Sequence, residues 1–501
     1  MSAYVEPVAR AQRLPDLLAG WASAVPDLEI GAVAVDSREV TPGALFLACQ
    51  GGHSHGLAHL DEAFRRGATA VAWEPAAGVK PPRADLPNIE VPALSARVGE
   101  IAARMFDAPS TRLFVVGITG TDGKTSTAHL ISQALAQLGT RCGYLGTLGY
   151  GFLGALAPAT HTTPDAVQLQ RWLARLLASG AQAVALEASS HALDQSRVNG
   201  VQFDVAVLTN VTRDHLDYHG DVSRYAAAKR KLFAMPGLRT AIMNQDDACG
   251  AEWLRDLAGN IDGVAYGIGS SAHPAALRHV LADEPELTAQ GLRLYVRSSW
   301  GEGVLDSALL GRFNAYNLLA ALAVLLEKGE PLPRALAALN RAVTVPGRMQ
   351  ALRRPGKPLV VVDYAHTPEA VTQALRAARA HCSGKLVCVF GCGGDRDRGK
   401  RPLMAQAVAQ AADLAVVTDD NPRSEAPQAI VRDIVAGLPP SFPYEIQHDR
   451  GKAIRQAIAA AAARDVVLIA GKGHEDYQIY GAERRHFSDV ETAQALLGAS
   501  A

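Results

Sequence analysis

The chain is predicted to be an α/β protein of three domains: a small α/β N-terminal domain, a central phosphate-loop domain built on a doubly wound, mostly parallel sheet, and a C-terminal Rossmann-like α/β domain. Three observations support this. The length of 501 residues suits about three domains. Short apolar runs alternate with helical stretches through most of the chain, the signature of parallel strands joined by crossover helices. Turn-rich breaks at Asp107-Ala108-Pro109-Ser110 and Val345-Pro346-Gly347-Arg348 divide it into 1–108, 109–346 and 347–501.

In the first region GAVAVDSREV and GALFLACQGG read as short strands with polar punctuation. The second opens on LFVVGITGTDGKTS. Residues 113–118 form a strand, a glycine loop follows, and 124–138 form a helix closed by Gly139. This geometry holds a nucleotide triphosphate, because backbone N–H groups and the positive helix end face the phosphates. Lys124 would reach the outer phosphates and the Thr125 hydroxyl would sit on Mg²⁺. Ile118 stands where the common pattern has glycine, so this is a particular subclass of phosphate loop. Residues 166–178 read as a helix, and 183–187, 205–209 and 240–244 as buried strands. In the third region strands are expected at 359–363, 385–390, 414–418 and 466–470, with helices at 368–380 and 427–437. Pro368 suits a first helical turn.

Composition narrows the function. A net charge of −1 gives no broad basic surface for nucleic acid or anionic membrane. No apolar run is long enough to span a bilayer, and the N-terminus carries no apolar signal core. The six cysteines are scattered without a CxxC pair, which predicts free thiols. These features predict a cytoplasmic protein that binds small molecules and no nucleic acid or membrane; the expectation is a monomer.

Several polar residues sit at predicted strand ends, where ligands gather in such sheets. Glu187 could hold Mg²⁺ or be a solvated strand end. TNVTRDHLDYHG packs Asp214, His215, Asp217 and His219 together, with His215 the preferred metal ligand. Lys229 in YAAAKRKLF reads by itself as a solvated helix-face lysine. Asn314 and Asn317 share one helix face and could meet a nucleobase or cap a helix. GCGGDRDRGKR, DNPR and GKGHE follow three strands of the third region. Arg423 offers a planar fork to a carboxylate and Glu475 a partner for an ammonium. Together they suggest a pocket for an amino acid.

In order along the chain, DSR, GTDGKTS, HTTP, EASSHAL, RDHLDYHGD, AAKRKLF, FNAYN, PGRMQ, DYAHTP, GCGGDRDRGKRP, DNPR and GKGHEDYQI resemble the motifs of the Mur ligases, and within them the members that add diaminopimelate. The resemblance implies an ATP-dependent ligase of peptidoglycan synthesis. It would join meso-2,6-diaminopimelate to the D-glutamyl γ-carboxylate of UDP-N-acetylmuramoyl-L-alanyl-D-glutamate through an acyl phosphate. ATP would bind at Gly120, Thr121, Asp122, Gly123, Lys124, Thr125 and Ser126, with Asn314, Asn317, Arg348 and Asp363 on the nucleoside side. The UDP-muramoyl-dipeptide would meet Val35, Ser37, Thr162, Thr163, Ser189, Gln195 and Arg197. Diaminopimelate would meet Arg396, Asp420, Asn421, Pro422, Arg423, Gly471 and Glu475. Lys124, Glu187, His215 and Lys229 would be the catalytic set. Mg²⁺ would lie near Thr125, Glu187, His215 and Lys229, the last modified to a carbamate; this reverses the solvated reading of Lys229. Departures from the family are Asp122, His55, His161 and Gln350. The rival readings are a lysine-adding muramoyl-dipeptide ligase, a folylpolyglutamate-type ligase, a phosphate-loop ATPase motor and a non-catalytic nucleotide-binding module. A folylpolyglutamate-type ligase lacks the UDP-binding first domain, DNPR and GKGHE; no segment singles out the oligomeric interface or arginine finger that a motor needs; Lys124, Glu187 and the amino-acid pocket argue against a binding module; and lysine-adding relatives carry a different motif in place of DNPR.

Overall fold

The structure is a computed structural model that describes residues 4–5, 10–52, 54–83, 86–257, 259–269 and 277–498. It divides into two compact units. Unit 1 comprises Met1–Leu281, Ser298–Gly301 and Leu319–Ala338; unit 2 comprises Ala282–Arg297, Glu302–Leu318 and Leu339–Ala501.

Unit 1 begins with a four-stranded parallel sheet, Ala32–Ala34, Ala44–Ala48, Ala68–Trp73 and Asn88–Glu90. The helix Leu94–Met105 covers one face, burying Leu94, Val98 and Ile101 with Leu45, Leu47 and Ala70. The larger sheet follows. Six parallel strands run in the spatial order Cys142–Gly146, Ala183–Glu187, Phe114–Thr119, Val205–Leu208, Thr240–Asn244 and Asp262–Ile268. An antiparallel strand, Gly149–Phe152, closes one edge. The four central strands are short runs of Val, Ile, Leu and Ala, nearly all of them buried, as strands covered on both faces must be. The phosphate-loop strand is therefore central, and Glu187 pairs across from Ile118.

Unit 2 carries a six-stranded sheet in the order Gln350–Leu352, Leu359–Asp363, Val466–Ala470, Leu386–Phe390, Leu414–Val417 and Tyr444–Ile446, antiparallel at the first pairing and parallel thereafter. Alternate side chains of its central strands enter two separate cores. Val361, Cys388, Phe390, Val417 and Leu468 pack with the helices Pro368–Arg379, Lys400–Ala411 and Pro427–Val435. Val360, Val387, Val389, Val416 and Ile469 pack with Arg450–Ala460 and Asp489–Leu497. This is the doubly wound arrangement expected of the third region, and Pro368 does occupy the first turn of its helix, with Thr367 as cap. In register, Asp363 faces Ala470 and Phe390 faces Val417, so the loops that leave these strands emerge at one edge.

The antiparallel strands Glu286–Thr288, Gly291–Ser298 and Gly301–Ser307 have no counterpart in the sequence reading. All six cysteines are free thiols. No helix of the described residues is long and apolar enough to cross a membrane.

Candidate active site

The phosphate loop is held by its neighbour, the loop after the strand Val205–Leu208. Thr121 N–H donates to Asn210 O at 2.8 Å, Asp122 N–H to Asn210 Oδ1 at 3.0 Å, and Thr209 Oγ1 to Asp122 O at 2.6 Å. Gly120 (φ +147°) leaves no room for a side chain, since a Cβ there would lie 1.8 Å from Thr209 Oγ1. Gly123 (φ +82°) turns the chain into the helix Lys124–Gln137. Lys124 Nζ rests on the Gly120 and Thr121 carbonyls at 2.8 Å each.

Thr125 Oγ1 donates to Glu187 Oε2 at 2.9 Å. Glu187 is not at a solvated strand end; it is fully buried. Tyr144 Oη donates to Oε1, Thr147 N–H donates to the same oxygen at 2.9 Å, and Thr147 Oγ1 lies 3.2 Å from Oε2. Both oxygens of this carboxylate, removed from water, thus have hydrogen-bond donors.

The same carboxylate is joined to a second polar group. Thr147 Oγ1 lies 3.1 Å from Thr162 Oγ1, and Thr163 Oγ1 donates to Glu187 O at 2.6 Å. Ser189 N–H donates to Thr163 Oγ1 at 3.1 Å, and Ser189 Oγ caps the helix Ser190–Asp194. Arg197 reaches Thr163 O at 3.1 Å and Gln195 Oε1 at 3.0 Å. Thr162, Thr163, Ser189, Gln195 and Arg197 thus form one network with Glu187. Ser37 lies in the N-terminal layer, donating to Glu62 Oε2 at 2.8 Å, with Val35 partly buried beside it. That layer meets the larger sheet's helix Ala166–Ala178 where Gln168 Nε2 donates to Glu39 Oε2 at 2.9 Å.

Lys229 departs most from its isolated reading. It is 1% exposed, donates to Gly120 O at 2.7 Å, and lies 4.3 Å from the centre of the Tyr225 ring. Burial first, and the nearby Lys124 charge second, push its pKa down to about 6. The amine is therefore mostly neutral at pH 7, the form that can add to CO₂. Tyr225 Oη contacts Thr121 Oγ1 at 3.1 Å, tying the Lys229 helix to the phosphate loop. His215 (φ +51°) is half exposed and packs 4.8 Å from the His191 ring and 6.2 Å from that of Tyr225. Among the described residues no three His, Cys, Asp or Glu side chains enclose a metal by themselves. One buried carboxylate beside a phosphate-loop hydroxyl nonetheless suits Mg²⁺, which takes few protein ligands and completes its shell with phosphate oxygens and water.

In unit 2 Asn314 and Asn317 do share a helix face; Asn317 Nδ2 donates to Asn314 Oδ1 at 3.0 Å, and Asn314 Nδ2 to Leu310 O at 2.8 Å. Both are buried, while Arg348 is exposed. Asp363 accepts the N–H groups of Met349 at 2.7 Å and Ala365 at 2.8 Å, fastening the residue after Arg348 to a strand end; burial raises its pKa. Asn314 and Asn317 are thus joined directly, whereas Asp363 is tied to the Arg348 segment through the Met349 N–H.

The expected amino-acid pocket is more compact. Asn421 Nδ2 donates to Glu475 Oε2 at 3.2 Å, and the fully buried Lys472 pairs with the same oxygen at 3.1 Å. Gly471 (φ +119°) approaches Asp420, whose Oδ2 would be 2.9 Å from an added Cβ. Arg423 Nη1 donates to Gly394 O at 2.7 Å, and Pro422 O lies 1.8 Å from where a Gly394 Cβ would be. Arg396 is exposed on the adjoining loop. Lys472 lay inside the GKGHE motif and Tyr225 at the head of YAAAKRKLF, yet only the structure sets them apart; Tyr144 and Thr147 carried no motif signal at all.

The chain matches three family models: "Mur ligase family, catalytic domain" over 29–105, "Mur ligase middle domain" over 118–325, and "Mur ligase, glutamate ligase domain" over 347–473. A protein from Alkalilimnicola ehrlichii named UDP-N-acetylmuramoyl-L-alanyl-D-glutamate–2,6-diaminopimelate ligase is 50% identical over 496 residues, 97% of this chain and 99% of its own. The Pseudomonas aeruginosa protein of the same name is 49% identical over 94% of this chain and 96% of its own. A solved structure with that name superposes with a TM-score of 0.79 at 34% identity, covering 98% of this chain and 99% of its own.

Proposed function

This chain belongs to the Mur ligase family, and we propose that it is the ATP-dependent ligase that joins meso-2,6-diaminopimelate to the D-glutamyl γ-carboxylate of UDP-N-acetylmuramoyl-L-alanyl-D-glutamate. The observation that carries the reading is Glu187. One buried carboxylate is shared by the phosphate-loop hydroxyl of Thr125 and, through Thr147, by the 162–163 turn. A nucleotide and a second polar substrate placed there would have their reacting groups adjacent.

A free carboxylate does not acylate amines, because oxide is too poor a leaving group. Its oxygen therefore attacks the γ-phosphorus of ATP, and ADP departs. Lys124 spreads the charge of the transferring phosphoryl group, and the phosphate-loop N–H groups hold the remaining phosphates. Thr162, Thr163, Ser189, Gln195 and Arg197 fix the dipeptide so that the attacking oxygen is in line. The neutral amine of diaminopimelate then adds to the acyl carbon, the tetrahedral intermediate expels phosphate, and the ammonium loses a proton to give the amide. Mg²⁺ would be held by Thr125, Glu187, His215 and the carbamate of Lys229, where it supplies charge neutralisation for the phosphates. Carbamylation converts a neutral amine and CO₂ into a carboxylate-like ligand and a released proton.

In unit 2, Arg423 pairs with the distal carboxylate of diaminopimelate, and Asp420, Asn421 and Glu475 receive its ammonium. Lysine lacks that carboxylate and would leave the guanidinium without its partner, the kind of loss that rejects analogues strongly. The chemistry is tested with dipeptide labelled by ¹⁸O in the γ-carboxylate. One labelled oxygen is expected in each released phosphate, and unlabelled phosphate would overturn the acyl-phosphate route.

A further inference from the structure

Behind the 420–423 turn lies a charged network that the reaction does not use. Arg401 is fully buried. Its fork meets Glu425 through Nη2–Oε1 at 2.8 Å and Nη1–Oε2 at 3.1 Å, and Nη1 also reaches Asp433 at 2.8 Å. Arg398 adds a contact to Glu425 Oε2 at 2.9 Å. Glu425 Oε1 accepts the N–H of Asp395 at 2.7 Å. The Asp395 carboxylate in turn accepts Ser424 Oγ at 2.6 Å and Ser424 N–H at 3.1 Å. Gly394, which precedes Asp395, donates its N–H to Asn421 O at 2.9 Å and accepts Arg423 Nη1 at 2.7 Å. Two loops are thus stitched together residue by residue, with Arg423 at the centre of the seam.

Arg423 needs such support. Its backbone is left-handed, φ +54°, a conformation unfavourable for a residue that carries a Cβ. On one side its N–H and C=O are fixed by Ile479 O at 3.0 Å and Gly481 N–H at 2.7 Å; on the other, the Asp395 loop fixes the side chain. Burying Arg401 is expensive, and a hydrophobic residue would serve core packing as well or better. Its charge is spent instead on Glu425, which the Arg401 hydrogen bond and the Asp395 N–H keep ionised, with a pKa near 2.

We propose that the Arg401–Glu425 pair, acting through Asp395 and Ser424, is a positioning device that holds the Arg423 fork in its carboxylate-reading geometry and so sets the choice between a diamino acid with two carboxylates and one with a single carboxylate. The proposal rests on the reading of Arg423 given above. Arg401 and Glu425 touch no substrate; they act through the turn.

The test compares Glu425→Gln and Ser424→Ala with the parent enzyme. KM is measured for diaminopimelate, lysine, ATP and the muramoyl-dipeptide, together with thermal midpoints. The expected result is a roughly tenfold rise in KM for diaminopimelate and a fall of about tenfold in the diaminopimelate-to-lysine ratio of kcat/KM, with KM for the other two substrates within twofold. Ser424→Ala removes only a peripheral hydroxyl, so it reads the same ratio if Glu425→Gln folds poorly. A purely structural role would lower the thermal midpoint and leave the ratio unchanged in both variants, and that result overturns the proposal. A parent enzyme that fails to use diaminopimelate at all would overturn the functional reading itself; an active parent whose variants keep its selectivity overturns the positioning role alone.

Discussion

Replacing Lys229 with methionine should stabilise unit 1 at neutral pH and remove a pH dependence that the parent protein carries. The unfolded lysine holds its proton below its ordinary value of 10.5, whereas the folded one holds it only below about 6. Between those limits the unfolded state binds more protons, so the parent's stability rises with pH. At about 1.4 kcal/mol per pH unit, neutralising the buried amine costs about 5 kcal/mol at pH 7 and about 2 kcal/mol at pH 9. The gap between parent and Lys229→Met should therefore shift by about 3 kcal/mol over that range, or about 5 °C in the midpoint for a unit of this size. The five tryptophans, at positions 21, 73, 172, 253 and 300, all belong to unit 1. Intrinsic tryptophan fluorescence during urea unfolding in CO₂-free buffer thus reports on this unit alone. Parallel stability curves for parent and variant from pH 7 to 9 would mean that Lys229 keeps its proton when folded, the opposite of the expected outcome.

Three further outcomes follow from the geometry. Gly120→Ala drives a methyl group into Thr209 Oγ1 at a backbone angle that only glycine adopts easily, so nucleotide titration should give at least a tenfold loss of ATP affinity; unchanged affinity would contradict the tight latch. Tyr144→Phe removes one hydroxyl from Glu187, and the Mg²⁺ concentration for half-maximal activity should rise several-fold while KM for ATP at saturating Mg²⁺ stays put; an unchanged Mg²⁺ requirement would separate Glu187 from the metal. Arg423→Ala should cut turnover with diaminopimelate at least a hundredfold and leave ATP affinity intact, and a variant that still turns over normally would remove Arg423 from the amino-acid pocket.

Local features were legible in the sequence, and features made by tertiary contact were not. The phosphate loop could be read because strand, glycine turn and helix start lie within fourteen consecutive residues, Leu113 to Ser126. The sharing of one sheet edge by the GCGGDRDRGKR, DNPR and GKGHE loops was legible too, since in a parallel sheet every strand ends on the same side. The Thr125–Glu187 bond spans 62 residues and depends on pairing the 183–187 strand with the 114–118 segment, which periodicity does not reveal. Lys229 was misread from its surroundings alone: AAAKRK looks like a solvated helix, and the Gly120 carbonyl that accepts from it, 109 residues away in sequence, is brought in only by the fold. Arg401 belongs to a run of arginines whose spacing does not say which faces solvent and which is buried. In the structure Arg396 lies on the outer loop, while Arg401 is sealed against Glu425.

In the proposed reaction an acyl group activated at the Lys124 loop is captured by the amine that the Arg423 turn selects. Mass spectrometry of the product formed from ATP, Mg²⁺ and UDP-N-acetylmuramoyl-L-alanyl-D-glutamate, with diaminopimelate and lysine supplied together in equal amounts, tests it most directly. The expected result is a single tripeptide product carrying diaminopimelate, formed in step with ADP and phosphate. A lysine adduct as the main product, or ATP consumed at full rate with neither amino acid present, would contradict it.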